Sequence, residues 1–139
     1  MIVLDTNVIS EVMRPRPSDS VRRWFARQER LALYTTAVSE AEIFAGLECM
    51  APGRQRDELE RGAERMLERV LGGRVLPFDR QAARLYALAF AERRRIGRPS
   101  KMPDAQIVAI ARSHDATLAT RNVRDFEHCG ILIVDPWNE

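Results

Sequence analysis

The chain has 139 residues, 45% of them hydrophobic and 30% charged, with a net charge of +2. That length and balance suit one domain around a single core and exclude a disordered or fibrous chain. Cys49 and Cys129 are too few and too far apart for a disulfide framework or a zinc site, and no apolar run is long enough to span a membrane, which implies a cytoplasmic protein.

The apolar residues 1–4 read as a buried strand closed by Asp5, and Thr6 and Asn7 read as the cap of a helix carrying Val8 and Ile9. Pro15 and Pro17 deny the backbone its helical hydrogen bonds, which makes 14–19 a turn. A helix over 20–30 puts Val21, Trp24 and Phe25 on one face, and 31–36 reads as a short strand. Ser39 is expected to begin a helix with an apolar stripe of Ile43, Phe44 and Leu47, ended by Pro52-Gly53. Over 54–71, Leu59, Ala63, Met66, Leu67 and Val70 recur at helical spacing among mixed charges, a solvated amphipathic helix with pairs such as Asp57 with Arg61. Gly72-Gly73 stops it, and 74–78 is a third strand. Asp79 caps a helix whose Ala82, Leu85, Tyr86, Ala89 and Phe90 make it apolar on much of its circumference, so burial on most sides is expected. Pro103 suits the first turn of the next helix, and its Ile107, Val108 and Ile110 imply depth. Residues 117–120 and 131–134 are the last strands. Strands alternating with helices predict an α/β fold with a mostly parallel sheet and helices on both faces.

In such a sheet the strand-to-helix turns share one edge, where ligands bind, so Asp5, Glu42 and the turn from Asn122 to Asp125 should meet there. Asp104 follows no evident strand, and topology alone does not bring it in. Each acid also has an ordinary role at a helix start, where the dipole favours carboxylates. Ser39 with Glu42 has the spacing of a capping box, and Asp104 is a first-turn acid after Pro103. Collected together, however, like charges repel by roughly 3 to 4 kcal/mol per pair at an effective dielectric near 20, so the cluster calls for a cation or a proton. Oxygen-only ligands select Mg²⁺ or Mn²⁺, ions that activate water against a phosphodiester.

Of 22 basic residues only Lys101 is lysine, and the arginine fork matches phosphate, although genome base composition explains the bias equally well. Arg93, Arg94, Arg95, Arg98 and Lys101 form a run without an acid, suited either to phosphate contact with RNA or to a helix C-terminus. Trp24, Trp137 and Phe126 offer faces to bases, with core or interface packing the stronger reading. His114 and His128 stand in no recognisable acid–base setting.

Four segments then stand in order across nearly the whole chain: Leu4-Asp5-Thr6-Asn7-Val8-Ile9-Ser10; Ser39-Glu40-Ala41-Glu42 with Gly46-Leu47; Pro103-Asp104-Ala105-Gln106-Ile107; and Ala119-Thr120-Arg121-Asn122-Val123-Arg124-Asp125-Phe126. They resemble the motifs of PIN-domain proteins, and Pro136-Trp137 with the overall length is most similar to VapC and FitB-like toxins of type II toxin–antitoxin modules. The resemblance implies one PIN-like domain over 1–139, a three-layer α/β/α sandwich, divalent-metal-dependent endoribonuclease activity, a homodimer or higher toxin–antitoxin assembly, and a cognate antitoxin. Apolar side chains on the early helices, beyond what one small core needs, agree with a dimer. Carried over by position, Asp5, Glu42 and Asp104 match the central acids and would bind Mg²⁺ or Mn²⁺. The fourth acidic position falls on Asn122, which leaves Asn122 or Asp125 to complete the site. Thr6 and Asn7 match polar residues that orient the first aspartate, and Arg121 is the candidate substrate contact. Two other classes remain: a non-catalytic RNA-binding or regulatory PIN-like domain, and a Mg²⁺-dependent phospho-acceptor or phosphatase. Asp5-Thr6-Asn7 and the loop position of Lys101 argue against the second.

Overall fold

The computed structural model describes every residue from Met1 to Glu139. Strands β1 (Ile2–Leu4), β2 (Leu33–Thr36), β3 (Val75–Leu76), β4 (Thr117–Ala119) and β5 (Ile133–Val134) form one sheet in the order β3-β2-β1-β4-β5. Every pairing is parallel, so the sheet is wholly parallel rather than mostly so. β1 lies at its centre, where a strand is covered on both faces and needs the continuous apolar run that opens the chain.

Successive side chains of a strand point to opposite faces. Leu4 accordingly joins a cluster with Val8, Ile9, Trp24, Ile43, Leu47 and Leu67, while Val3 joins another with Ile107, Val108, Leu118 and Phe126. Helices α1 (Thr6–Val12), α2 (Asp19–Ala26), α3 (Ala37–Glu48) and α4 (Arg54–Glu64) build the first cluster, and α5 (Arg80–Arg95), α6 (Met102–Ser113) and α7 (Val123–Phe126) the second. The three layers follow from that division. No helix is long and apolar enough to cross a membrane.

Several local expectations change. Asp5, not Thr6 or Asn7, caps α1, its Oδ1 accepting the Thr6 N–H at 2.8 Å. β2 begins at Leu33 because Arg30–Ala32 form a 3-10 turn. Thr36 caps α3 by accepting the Ser39 N–H at 3.0 Å, so Ser39 is already helical and the capping box with Glu42 does not form. After α4 the turns Arg65–Val70 widen to π-helical hydrogen bonding, and the helical run stops at Gly72 and Gly73, both at positive φ where glycine carries no steric penalty. The ion pairs on α4 are Arg54 with Glu58 and Arg56 with Glu60 and Glu48, not Asp57 with Arg61. α6 is as deeply buried as expected, but α5 is not: only Ala82, Ala89 and Arg93 are buried, and Leu88 is 53% exposed. α5 packs on α6 along one stripe of small residues, which leaves its other faces uncovered. Both cysteines are free, Cys129 buried and Cys49 exposed.

Candidate active site

The parallel register sets Leu4 of β1 opposite Ala119 of β4, so the residues that follow them, Asp5 and Thr120, emerge side by side at the carboxyl edge of the sheet. The Asp5 N–H donates to the Ala119 carbonyl at 2.9 Å. Thr120 Oγ1 donates to Asp5 Oδ2 at 2.7 Å and accepts from Asn7 Nδ2 at 3.3 Å and from the Asn122 N–H at 3.1 Å. One donor and two acceptor positions are all a hydroxyl has, so this one is fully used. Asn7 Nδ2 also donates to Asp5 Oδ2 at 3.1 Å, and Asn7 Oδ1 accepts the Arg121 N–H at 3.2 Å. Asp5 is thereby held by three donors, from Thr6, Asn7 and Thr120, although it is only 5% exposed. These bonds favour its charged form, but burial outweighs them and raises its pKa, with the charges of Glu42 and Asp125 adding to the effect.

Glu42 reaches the same place from α3, its Oε1 accepting the Thr6 hydroxyl at 2.8 Å. Asp104 comes from the first turn of α6 and does converge, which the strand pattern alone had not indicated. Its carboxyl is pushed up to about 6, first by burial and then by the charges of Asp5, Asp125 and Glu42, against the opposing pull of Lys101. Asp5, Glu42 and Asp104 share the wall of a cleft of about 360 Å³ with Thr6, Asn7, Ser10, Glu11, Arg14, Arg121, Asn122 and Trp137. Asn122 lines this cleft; Asp125, exposed on α7, lends its charge to Asp5 and Asp104 without lining it. A larger groove of about 510 Å³, among Val12, Met13, Phe25, Met66 and Val70, contains a single carboxylate, Glu58, and no cluster of acids.

The cleft's donor set fits a hard cation. Its ligand atoms are oxygens, and repelling carboxyls with raised pKa values are what an acidic site shows without its positive charge. No three His, Cys, Asp or Glu side chains gather closely enough to enclose an ion directly. Mg²⁺ suits that spacing, since it keeps several waters and takes only one or two carboxylates, whereas a structural zinc demands a closed set of four.

Residues 2–131 match the PIN domain family. This chain belongs to that family. The PIN-domain chain is 39% identical over 137 residues to VapC ribonuclease Y4jK of Sinorhizobium fredii, a match covering 99% of this chain and 98% of the relative. It is 32% identical to Toxin FitB of Neisseria gonorrhoeae over 139 residues, the full length of both. Among solved structures, FitAB bound to an IR36 DNA fragment superposes with a TM-score of 0.90 at 33% identity, covering 99% of this chain and 96% of the other.

Sequence reasoning missed Thr120 as a site residue of this PIN domain. Its signal was its place immediately after a strand in the fourth motif, but only the β1–β4 register shows that the strand neighbours Asp5. The arginine run is a correction in the other direction. Arg93 is buried and donates to the carbonyls of Glu127 at 2.8 Å and Arg124 at 3.4 Å, and Arg98 pairs with Glu127 at 3.3 Å. Neither is a free phosphate contact. Trp24 and Phe126 are core residues, whereas Trp137 lines the cleft. His114 and His128 lie outside it.

Proposed function

We propose that this PIN-domain chain is an endoribonuclease toxin that hydrolyses RNA phosphodiesters at its acidic cleft with Mg²⁺ or Mn²⁺, and that a cognate antitoxin restrains it. The observation that carries the reading is the convergence of Asp5, Glu42 and Asp104 from three distant segments on one cleft, where a cation would offset their mutual repulsion. The ribonuclease name of one relative, the toxin name of another and the solved FitAB complex support the same reading. Asp5, Glu42 and Asp104 would hold the ion, directly or through water. When bound, it supplies an acidified water for attack and positive charge for the phosphoryl oxygens. Thr6, Asn7 and Thr120 keep the Asp5 carboxylate oriented, Asp125 adds negative potential from α7, and Arg121 and Asn122 contact the substrate. In-line attack at phosphorus would leave a 5′ phosphate and a 3′ hydroxyl. A small nuclease acting on cellular RNA belongs in the cytoplasm with an inhibitor at hand.

The test is RNA cleavage by the purified chain after chelation. Restored Mg²⁺ or Mn²⁺ should restore cutting; undiminished cleavage in excess EDTA, or products with 2′,3′-cyclic ends, would overturn the mechanism. Asn122 at the fourth acidic position is the feature that favours a non-catalytic RNA-binding domain, and intact RNA binding without cleavage in either cation would decide for it.

The proposed assembly is a homodimer. Of the apolar side chains of α1 and α2, Val8, Ile9, Val21 and Trp24 are buried in the core, while Val12 and Phe25 are only partly buried and line the larger groove, where a partner can reach them. An aromatic row that runs from just before α5 onto that helix also supports it, with Phe78 edge-on to Tyr86 at 6.0 Å and Tyr86 stacked on Phe90 at 5.9 Å. Sedimentation at micromolar concentration should give a dimer, and a strict monomer would contradict it.

A further inference from the structure

Two arginines line the acidic cleft, and they are held differently. Arg14 pairs with Glu11 at 3.2 Å and is neutralised locally. Arg121 makes no ion pair, although Asp5, Glu42 and Asp104 share its cleft. Its guanidinium lies over the indole of Trp137, 5.2 Å from the ring centroid, while its backbone N–H is tied to Asn7 Oδ1 at 3.2 Å. Trp137 is fixed in turn: its side chain packs against the Leu4 cluster, and its backbone N–H donates to Asp135 Oδ1 at 3.0 Å.

An arginine beside several carboxylates ordinarily folds onto one of them, which here would fill the space a cation needs. The indole face gives the charge another seat. A cation–π contact uses the guanidinium charge but none of its N–H donors, which stay available for a phosphate. We propose that Trp137 is a positioning residue that holds Arg121 off the acids and presents it as a contact for an RNA phosphate. This rests on the reading of the cleft as an RNA site. It accounts for a large aromatic residue at the cleft, where only polar groups take part in the chemistry, and for the one guanidinium there without a carboxylate partner.

The probe is an RNA oligonucleotide bound to the full chain at several salt concentrations in Ca²⁺, which takes the same oxygen ligands but acidifies its bound water less than Mg²⁺ and so suppresses hydrolysis during the measurement. Arg121→Gln should weaken binding roughly tenfold and reduce the salt slope by about one. Trp137→Leu should produce the same two changes, the double variant should add nothing, and Trp137→Phe should retain most of the affinity. A general loss of packing would not reproduce that salt slope. Calorimetry should also show weaker Mg²⁺ binding in Trp137→Leu, restored when Arg121→Gln is added. An independent reading needs no change at Trp137: with Trp24 buried, the emission of Trp137 should shift when a phosphate of the oligonucleotide engages the guanidinium stacked on it, and less so in Arg121→Gln. Wild-type affinity and slope in Trp137→Leu, additive losses in the double variant, or unchanged emission at saturation would overturn the proposal while leaving the RNA site standing. A wild-type chain that neither binds the oligonucleotide nor cleaves RNA would overturn the RNA reading itself and this role with it.

Discussion

At the scale of single residues, the acids make the metal-free protein respond to pH in a definite sense. Asp104 has an ordinary value of 3.8 and is raised to about 6 in the fold, and Asp5 is shifted the same way. The folded chain therefore holds these protons more tightly than the unfolded chain, so their contribution to stability is fully present below about pH 4 and is lost as pH rises through about 6. Because Asp104 is partly solvated, the effect is on the order of 1 kcal/mol after screening. Mg²⁺ binding runs oppositely, since protons compete with the ion, and its stabilisation should fade below about pH 6. Melting curves of wild type and Asp104→Asn, in EDTA and in Mg²⁺ between pH 4 and 8, isolate the contribution of this carboxyl. A wild-type-minus-variant difference that does not change with pH would contradict it. Asp5 was legible from the sequence because an acid directly after a buried strand has one place to go. Thr120 was not, because a threonine after a strand means nothing until the neighbouring strand is known.

At the scale of elements, α7 is only Val123–Phe126, too short to hold its own geometry, and Arg93 of α5 supplies the anchor. Its guanidinium serves the carbonyls of Arg124 and Glu127, at the cost of a buried Nε without a partner. Arg93→Met should leave those carbonyls unpaired, reduce stability by about 1 to 3 kcal/mol, and speed amide exchange around Glu127 to Gly130. Unchanged denaturation and exchange would show that α7 is held some other way. The sequence left Arg93 open between phosphate contact and a helix C-terminus, because charge patterning does not reveal what a helix end packs against. The same blindness applies to α5 as a whole. Its apolar positions were read correctly, but periodicity does not say which face a neighbour covers. On α6, by contrast, Ile107, Val108 and Ile110 with alanines between them left no polar face, and burial followed. The cap of α3 moved from Ser39 to Thr36 because both residues satisfy the capping preference and only the strand's end decides between them.

At the scale of the molecule, strand-helix alternation made the parallel sheet legible, but not the order β3-β2-β1-β4-β5. That order is what puts β1 and β4 side by side and gives the first and fourth motifs a common edge. Asp104 joins them from a helix start on the opposite layer, a contact that no local pattern encodes. The whole fold thus brings three acids from distant segments to one cleft, and the account stands on their joint action on a cation. The most direct measurement is the RNA cleavage rate of Asp104→Asn at neutral pH in saturating Mg²⁺, with its melting temperature recorded in EDTA. Removing one of the repelling charges should lower cleavage by about 100-fold or more while the metal-free fold melts no lower than wild type. Cleavage at the wild-type rate by a folded Asp104→Asn chain would contradict the account.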